Sequence, residues 1–194
     1  RQLMPNSLIV MLMTYAFFIT GCTEIIHVAT ESPIQPSAEE LSIGTDIDDW
    51  ELETSIGVNI KKAGSQLKNS HININSYNRI VLLTGQAPSS EARSLAAEIA
   101  KNYRGVRQVY NEIKVSGPTS FIARTNDAWL SAKVKAKLMA SEEIESSSFK
   151  VVTENGIIYL MGLISQQKAA TALELTSEVG GAVKVVSVLE YTTD

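Results

Sequence analysis

The sequence predicts an α+β chain built from two tandem modules, each running helix, strand, strand, helix, strand over about 70 residues. The first of three observations is an internal repeat. Ile74-Asn75-Ser76-Tyr77-Asn78-Arg79-Ile80-Val81-Leu82-Leu83-Thr84-Gly85 superimposes without a gap on Val151-Val152-Thr153-Glu154-Asn155-Gly156-Ile157-Ile158-Tyr159-Leu160-Met161-Gly162, at an offset of 77. The second is the pair Asn155-Gly156 between two apolar runs, the strongest short hairpin signal, with Asn78-Arg79 in the same place in the first copy. The third is an i, i+4, i+8 apolar stripe ahead of each hairpin, Leu52-Ile56-Ile60 and Leu130-Val134-Leu138. Each module is expected to form a three-stranded mixed sheet with two helices on one face.

In chain order, residues 1–21 come first. Behind Arg1 an apolar run extends from Leu8 to Ile19. Twelve helical residues rise about 18 Å, short of the roughly 30 Å hydrocarbon core, so the run reads as a signal peptide and not as a span. Residues 22–47 follow as a tether: Glu24, Glu31, Glu39, Glu40 and Asp46 are acidic, Pro33 and Pro36 interrupt, and no basic residue occurs. A flexible coil of that length reaches about 25–30 Å. The modules are then expected over 48–117 and 125–194, joined by the short connector Ser116-Gly117-Pro118-Thr119-Ser120.

Within the first module the hairpin strands are expected to stop at Gly85, and in the second at Gly162. Ser89 or Ser90, and Ser165, are candidate N-caps for the second helices. Ala92, Leu95, Ala96, Ile99 and Tyr103 form the stripe of one such helix, and Ala169, Leu173 and Thr176 a weaker stripe in the other. The closing strand places Val109, Asn111, Ile113 and Val115 on one face. Val185, Ser187, Leu189 and Tyr191 match it at an offset of 76.

Composition excludes several functions. Seventeen basic against 21 acidic residues give a net charge of −4, so no basic excess points to nucleic acid. One cysteine permits neither an internal disulfide framework nor a Cys-rich zinc site. His71 reads as a solvent-facing strand residue, and Ser146-Ser147-Ser148 has no neighbouring base to activate it. Asp48-Asp49 sits at a helix start, where it favours the helix dipole, and Glu142-Glu143 lies in a polar connection. Trp50 reads as a local packing residue. No cofactor is expected, and the chain reads as non-enzymatic.

Two resemblances sharpen this. Ile19-Thr20-Gly21-Cys22 resembles the lipobox of bacterial lipoproteins, which implies cleavage before Cys22 and acylation of its sulfur and its new amino group. Thr23 is not the Asp that retains such lipoproteins in the inner membrane, so the resemblance implies the outer membrane, facing the periplasm. The order of elements resembles the BON domain. Val81-x-Leu83-x-Gly85, Gly105-Val106-x-x-Val109-x-Asn111-x-Ile113, Asn126-Asp127-x-Trp129 and Leu160-Met161-Gly162 carry the likeness. Ala182 and Ser187 depart from the family pattern, standing where it has Val and Asn. Two copies behind a lipobox are similar to the dual BON-domain outer-membrane lipoproteins of Gram-negative bacteria. That resemblance implies a part in envelope integrity and an association with the division site.

The candidate site comes from comparing the two copies. Beside its core stripe, the first helix of the first module presents Glu51, Thr54, Val58, Lys61 and Lys62, mostly polar. The second module presents Trp129, Ala132, Ala136, Met139 and Ala140 in the same sector. Lys133 and Lys137 flank that sector on one side and Lys135 on the other. A helix with two apolar stripes must bury the second somewhere. Three occupants are open: an interface with the first module, an anionic phospholipid surface, or a protein partner, with Phe121 and Ile122 able to join any of them. The resemblance favours anionic phospholipid, such as phosphatidylglycerol, read by Trp129, Lys133, Lys135, Ala136, Lys137 and Met139. The alternative is an adaptor for outer-membrane assembly machinery with Trp129 as its hot spot.

Overall fold

The computed structural model describes residues 49–145 and 148–192. The signal segment, Cys22, the tether, Asp48, Ser146 and Ser147 lie outside the described residues, as does the end of the second module.

In the first module α1 (Asp49–Lys62) is followed by a one-turn helix, α2 (Ser65–Lys68). Then come β1 (His71–Tyr77), β2 (Ile80–Ala87), α3 (Ser90–Lys101), β3 (Gln108–Asn111) and β4 (Lys114–Val115). The second module repeats the plan as α4 (Phe121–Met139), β5 (Phe149–Glu154), β6 (Ile157–Ile164), α5 (Gln166–Ser177) and β7 (Lys184–Tyr191). In each sheet the middle strand pairs antiparallel with its hairpin partner and parallel with the closing strand. The two modules are thus the same α+β unit.

Each stripe sits where its spacing requires. Leu52, Ile56 and Ile60 are buried against Val81 and Leu83, and Leu130, Val134 and Leu138 against Ile158 and Leu160. Ser89 and Ser165 cap α3 and α5 by accepting from Ala92 N and Lys168 N.

Several details differ from the expectation. The strands do not stop at the glycines: β2 runs on to Ala87 and β6 to Ile164. Gly85 and Gly162 are needed because the neighbouring chain passes so close. A Cβ on Gly85 would lie 2.0 Å from the His71 carbonyl oxygen, and one on Gly162 2.4 Å from that of Ser148. The closing strand of the first module is broken after Asn111, so that the sheet counts four strands. The Asn111 side chain turns back, donating to the Arg93 carbonyl and accepting from Ile113 N. Ile113 is buried and Val115 exposed, so the four residues expected on one face do not share it. Helix α3 buries Ala92, Ala96, Ala97 and Ala100 and leaves Leu95 exposed, because small side chains let the helix lie close to the sheet. Tyr103 is buried beyond the helix end.

The hairpin turns reveal a job for one aspartate in the first helix of each module. Asn78 and Arg79 have φ of 51° and 62°, and Asn155 and Gly156 have 50° and 73°, the left-handed pair that a tight two-residue hairpin requires. Asp49 accepts from Asn78 N at 2.7 Å and Arg79 N at 2.8 Å. Asp127 accepts from Asn155 N at 2.8 Å and Gly156 N at 2.7 Å. One carboxylate therefore clasps each turn to its helix, from the first residue of α1 and from nearly two turns inside α4, where it is almost fully buried.

The two sheets meet through the faces that the helices leave open. Ile80 and Leu82 of β2 pack with Val152, Tyr159, Met161 and Val188 of the second sheet in a core of their own. Both modules lie within one compact unit. Polar contacts ring this interface. Glu154 accepts from Gln86 Nε2 at 2.6 Å and Asn73 Nδ2 at 3.0 Å. Arg107 pairs with Glu190 at 2.6 Å, and Lys150 with Glu53. The Arg107 guanidinium, and Asn78 to a lesser degree, hold the Glu190 carboxyl below its usual range.

Two outcomes are expected. Asp49→Ala or Asp127→Ala leaves two turn N–H groups without their charged acceptor. Each should lower unfolding free energy by about 2 kcal/mol in a urea titration, with Asp127→Asn losing less. At Tyr159, burial first, and Glu112 beside it second, push the phenol up to about 12. The unfolded chain releases this proton near pH 10 and the folded chain about two units later. Stability is therefore intact below pH 10 and falls by about 2–3 kcal/mol between pH 10 and 12. Thermal melts of Tyr159→Phe should lack that share of the alkaline decline.

Candidate functional site

Helix α4 is 19 residues long, about 28 Å, and starts at Phe121, where Ser120 Oγ accepts from Ala123 N. Its inner face is spent on Leu130, Val134, Leu138 and the Asp127 clasp. On the opposite side Phe121, Ile122, Trp129, Ala132, Ala136 and Met139 fall within one sector of about 100°. Phe121 is 78% exposed, Ile122 71%, Trp129 66% and Met139 69%. An interface with the first module is thereby overturned as the fate of the Trp129 face, because that interface is made by the sheets.

The lysines are unequal. Lys133 Nζ stands 4.0 Å from the centroid of the Trp129 ring and also donates to the Gly180 carbonyl, so it is held over the indole by a cation–π contact. Lys137 is 2.5 Å from Glu178, an ion pair within the module. Lys135 is exposed on the other edge of the stripe, with Arg124 about three turns toward the helix start and also exposed. The structure thus brings Trp129 and Lys133 into contact and sets Lys135, Ala136 and Met139 along the same outer surface. Among the described residues, Lys137 is the lysine of the three that pairs with an acidic side chain, at the exposed edge.

The sequence places the module start at 125 and gives Phe121 and Ile122 to a candidate interface without placing them on the helix. The helix that joins them to Trp129 was signalled by Ser120, a good N-cap followed by an uninterrupted helical run. Arg124 was missed because it lies outside the repeat.

Beside Trp129 a groove of about 440 Å³ is lined by Ala123, Asn126, Trp129, Lys133, Gly156 and Gly181 among others. A cleft of about 620 Å³ in the first module is lined by neutral polar residues including Gln66, Asn69, His71 and Gln86. His71 Nε2 lies 3.4 Å from Asn73 Nδ2. Trp50 is exposed at the start of α1. Among the described residues no three His, Cys, Asp or Glu side chains converge to hold a metal, and no helix is long and apolar enough to cross a membrane.

Comparison with known proteins agrees with this architecture. The BON domain model matches residues 48–117 and again 126–193. The chain is 32% identical over 189 residues to the outer membrane lipoprotein DolP of Haemophilus influenzae, covering 97% of this chain and 98% of that protein. It is 35% identical over 159 residues to the 21 kDa hemolysin of Actinobacillus pleuropneumoniae, covering 82% and 80%. Among solved structures, the C-terminal domain of CdsD from the type III secretion system of Chlamydia trachomatis is similar at 16% identity and a TM-score of 0.30. That match covers 76% of this chain and 68% of that one, and is too distant to inform the site. With two matched domains and a relative aligned along nearly its whole length, the chain belongs to the BON-domain family, as a two-domain member of the DolP lipoprotein type.

Proposed function

We propose that the protein is a non-enzymatic outer-membrane lipoprotein, held by acyl chains on Cys22 and facing the periplasm, whose second module binds anionic phospholipid through α4. The observation that carries the lipid reading is the outer stripe of α4: large apolar side chains stand in solvent along its whole length, with Lys133 on one edge and Lys135 and Arg124 on the other. No acidic residue interrupts the stripe. Asp127 is turned inward onto the hairpin, and the exposed Glu142 and Glu143 follow only after the helix end.

A helix of this kind lies in the plane of the membrane interface, its apolar face among the upper acyl carbons and its basic edges at the phosphates. Trp129 suits that depth, since the indole is apolar in body and polar at its N–H. Each lysine near an anionic surface adds about 1 kcal/mol. The anchor supplies proximity, and the tether's reach of about 25–30 Å lets the module meet the membrane that holds it. The part in envelope integrity and at the division site comes from the resemblance to dual BON-domain lipoproteins, and lipid recognition is the activity through which we read it.

Flotation of residues 23–194 with phosphatidylcholine vesicles, with and without phosphatidylglycerol, tests the reading. Binding is expected only with the anionic lipid, reduced at least tenfold in Trp129→Glu and weakened at about 1 M salt, where charges are screened over about 3 Å. A chain that ignores both vesicles would turn the Trp129 face over to a protein partner in outer-membrane assembly.

A further inference from the structure

The loop between α5 and β7 carries a second exposed apolar residue beside the candidate site. Val183 is 78% exposed, equal to Phe121 and beyond Trp129, although it precedes a strand whose other valines are partly or fully buried. Its place is fixed from both sides. Val183 N donates to the Gly156 carbonyl at 2.8 Å, and its Cγ2 would lie 2.9 Å from a Cβ on Gly156. Three residues earlier, the Gly180 carbonyl accepts from Lys133 Nζ, the same ammonium that covers the Trp129 ring. Gly156 and Gly181 line the groove together with Trp129 and Lys133. Val183 thus adjoins, through Gly156, the turn side of a groove whose helix side is Trp129.

The first module supplies an internal control. There Arg107 N donates to the Arg79 carbonyl at 2.9 Å, the same backbone bond at the same point of the fold, so Arg107 is the structural counterpart of Val183. Gly105 and Gly181, two residues before each, share a left-handed φ of 94° and 103°. Arg107 is used inside the molecule, paired with Glu190 across the sheet interface. Glu51, the counterpart of Trp129 in the repeat, is charged and exposed. Where the first module has Glu and Arg, the second has Trp and Val. Both replacements expose apolar surface, and both fall at one groove. The ammonium of Lys133 lies over Trp129 and is tied to the Gly180 carbonyl of the same loop.

We propose that the loop Gly180–Val183 is a second membrane-contacting element, with Val183 entering the interface of an anionic bilayer beside Trp129. This rests on the phospholipid reading of α4. A bilayer is the occupant that fits, because the loop adds an exposed apolar side chain, and a carbonyl that holds Lys133, to a surface already made of exposed apolar side chains and basic edges. Two separate elements would also fix the module's roll about the α4 axis, which a single helix leaves free.

The test uses residues 23–194, which lack Cys22, with Val183→Cys labelled by an environment-sensitive fluorophore. A matching label at the exposed Lys101 of the first module is the control. With phosphatidylcholine–phosphatidylglycerol vesicles, the label at 183 should shift to the blue and become protected from an aqueous quencher, while the one at 101 stays unchanged. Unlabelled Val183→Asp should bind about tenfold more weakly, and Val183→Ser severalfold more weakly, with unaltered melting. If the labelled chain floats in a Trp129-dependent way while residue 183 stays in water, the loop proposal is overturned and the α4 reading stands. If neither the labelled nor the unlabelled chain floats, the α4 reading falls, and the loop proposal with it.

Discussion

The contact between the two sheets is the constraint on which the rest of this molecule depends. A small sheet with helices on one face leaves its other face bare. Here Ile80 and Leu82 would stand in water in an isolated first module, and Tyr159 and Met161 in an isolated second one. Pairing the modules removes both faces at once. It also directs every helix outward, so the outer stripe of α4 has no surface within the two modules to cover it. The exposure of Trp129 is thus a consequence of how the sheets are satisfied.

The repeat separates what the fold requires from what the site requires. Both copies keep the helix aspartate clasping a left-handed hairpin turn, the close approach at a mid-strand glycine, and the backbone bond from the closing strand to the turn. These hold chain segments together and tolerate little change. The positions that diverge are on the surface. Arg107 and Glu190 stitch the modules together, whereas Val183, at the equivalent point, meets solvent. Symmetric folds with asymmetric surfaces are what a chain needs if one module faces its twin through the interface rim and the other faces something else.

Much of the fold was legible because it is local. Spacings of four residues found the core stripes of α1 and α4, and the Asn-Gly pair found the hairpin. The sheet-to-sheet core was legible too, but went unread: Ile80-Val81-Leu82-Leu83 and Ile157–Met161 are apolar at successive positions, and a strand apolar on both faces is buried on both. Asp49 reads for the helix dipole and Asp127 only as part of the family likeness, since proximity in sequence shows the helix and not a turn about thirty residues away. The ion pairs Glu53–Lys150 and Arg107–Glu190 join residues 97 and 83 positions apart, and no local pattern announces them. In the candidate site the stripe itself was visible. What was hidden was how the lysines divide their charge, and the loop that meets the groove.

That division of charge sets the balance of forces at the site. Counting lysines along the helix suggests three near-equal contributions, at about 1 kcal/mol each on an anionic surface. With Lys137 paired to Glu178, the long-range attraction falls to Lys133 on one edge, whose carbonyl and indole partners are uncharged, and to Lys135 and Arg124 on the other. Meanwhile the apolar side has grown: Phe121, Ile122 and Val183 join Trp129 and Met139, and each such side chain contributes about 1.5–3 kcal/mol when fully buried. Five partly inserted side chains outweigh two or three screened charges. On the proposed phospholipid reading, the lysines would select an anionic surface and orient the approach, while insertion would hold the module there, and a tether keeping the module within reach of the membrane would make even modest insertion effective.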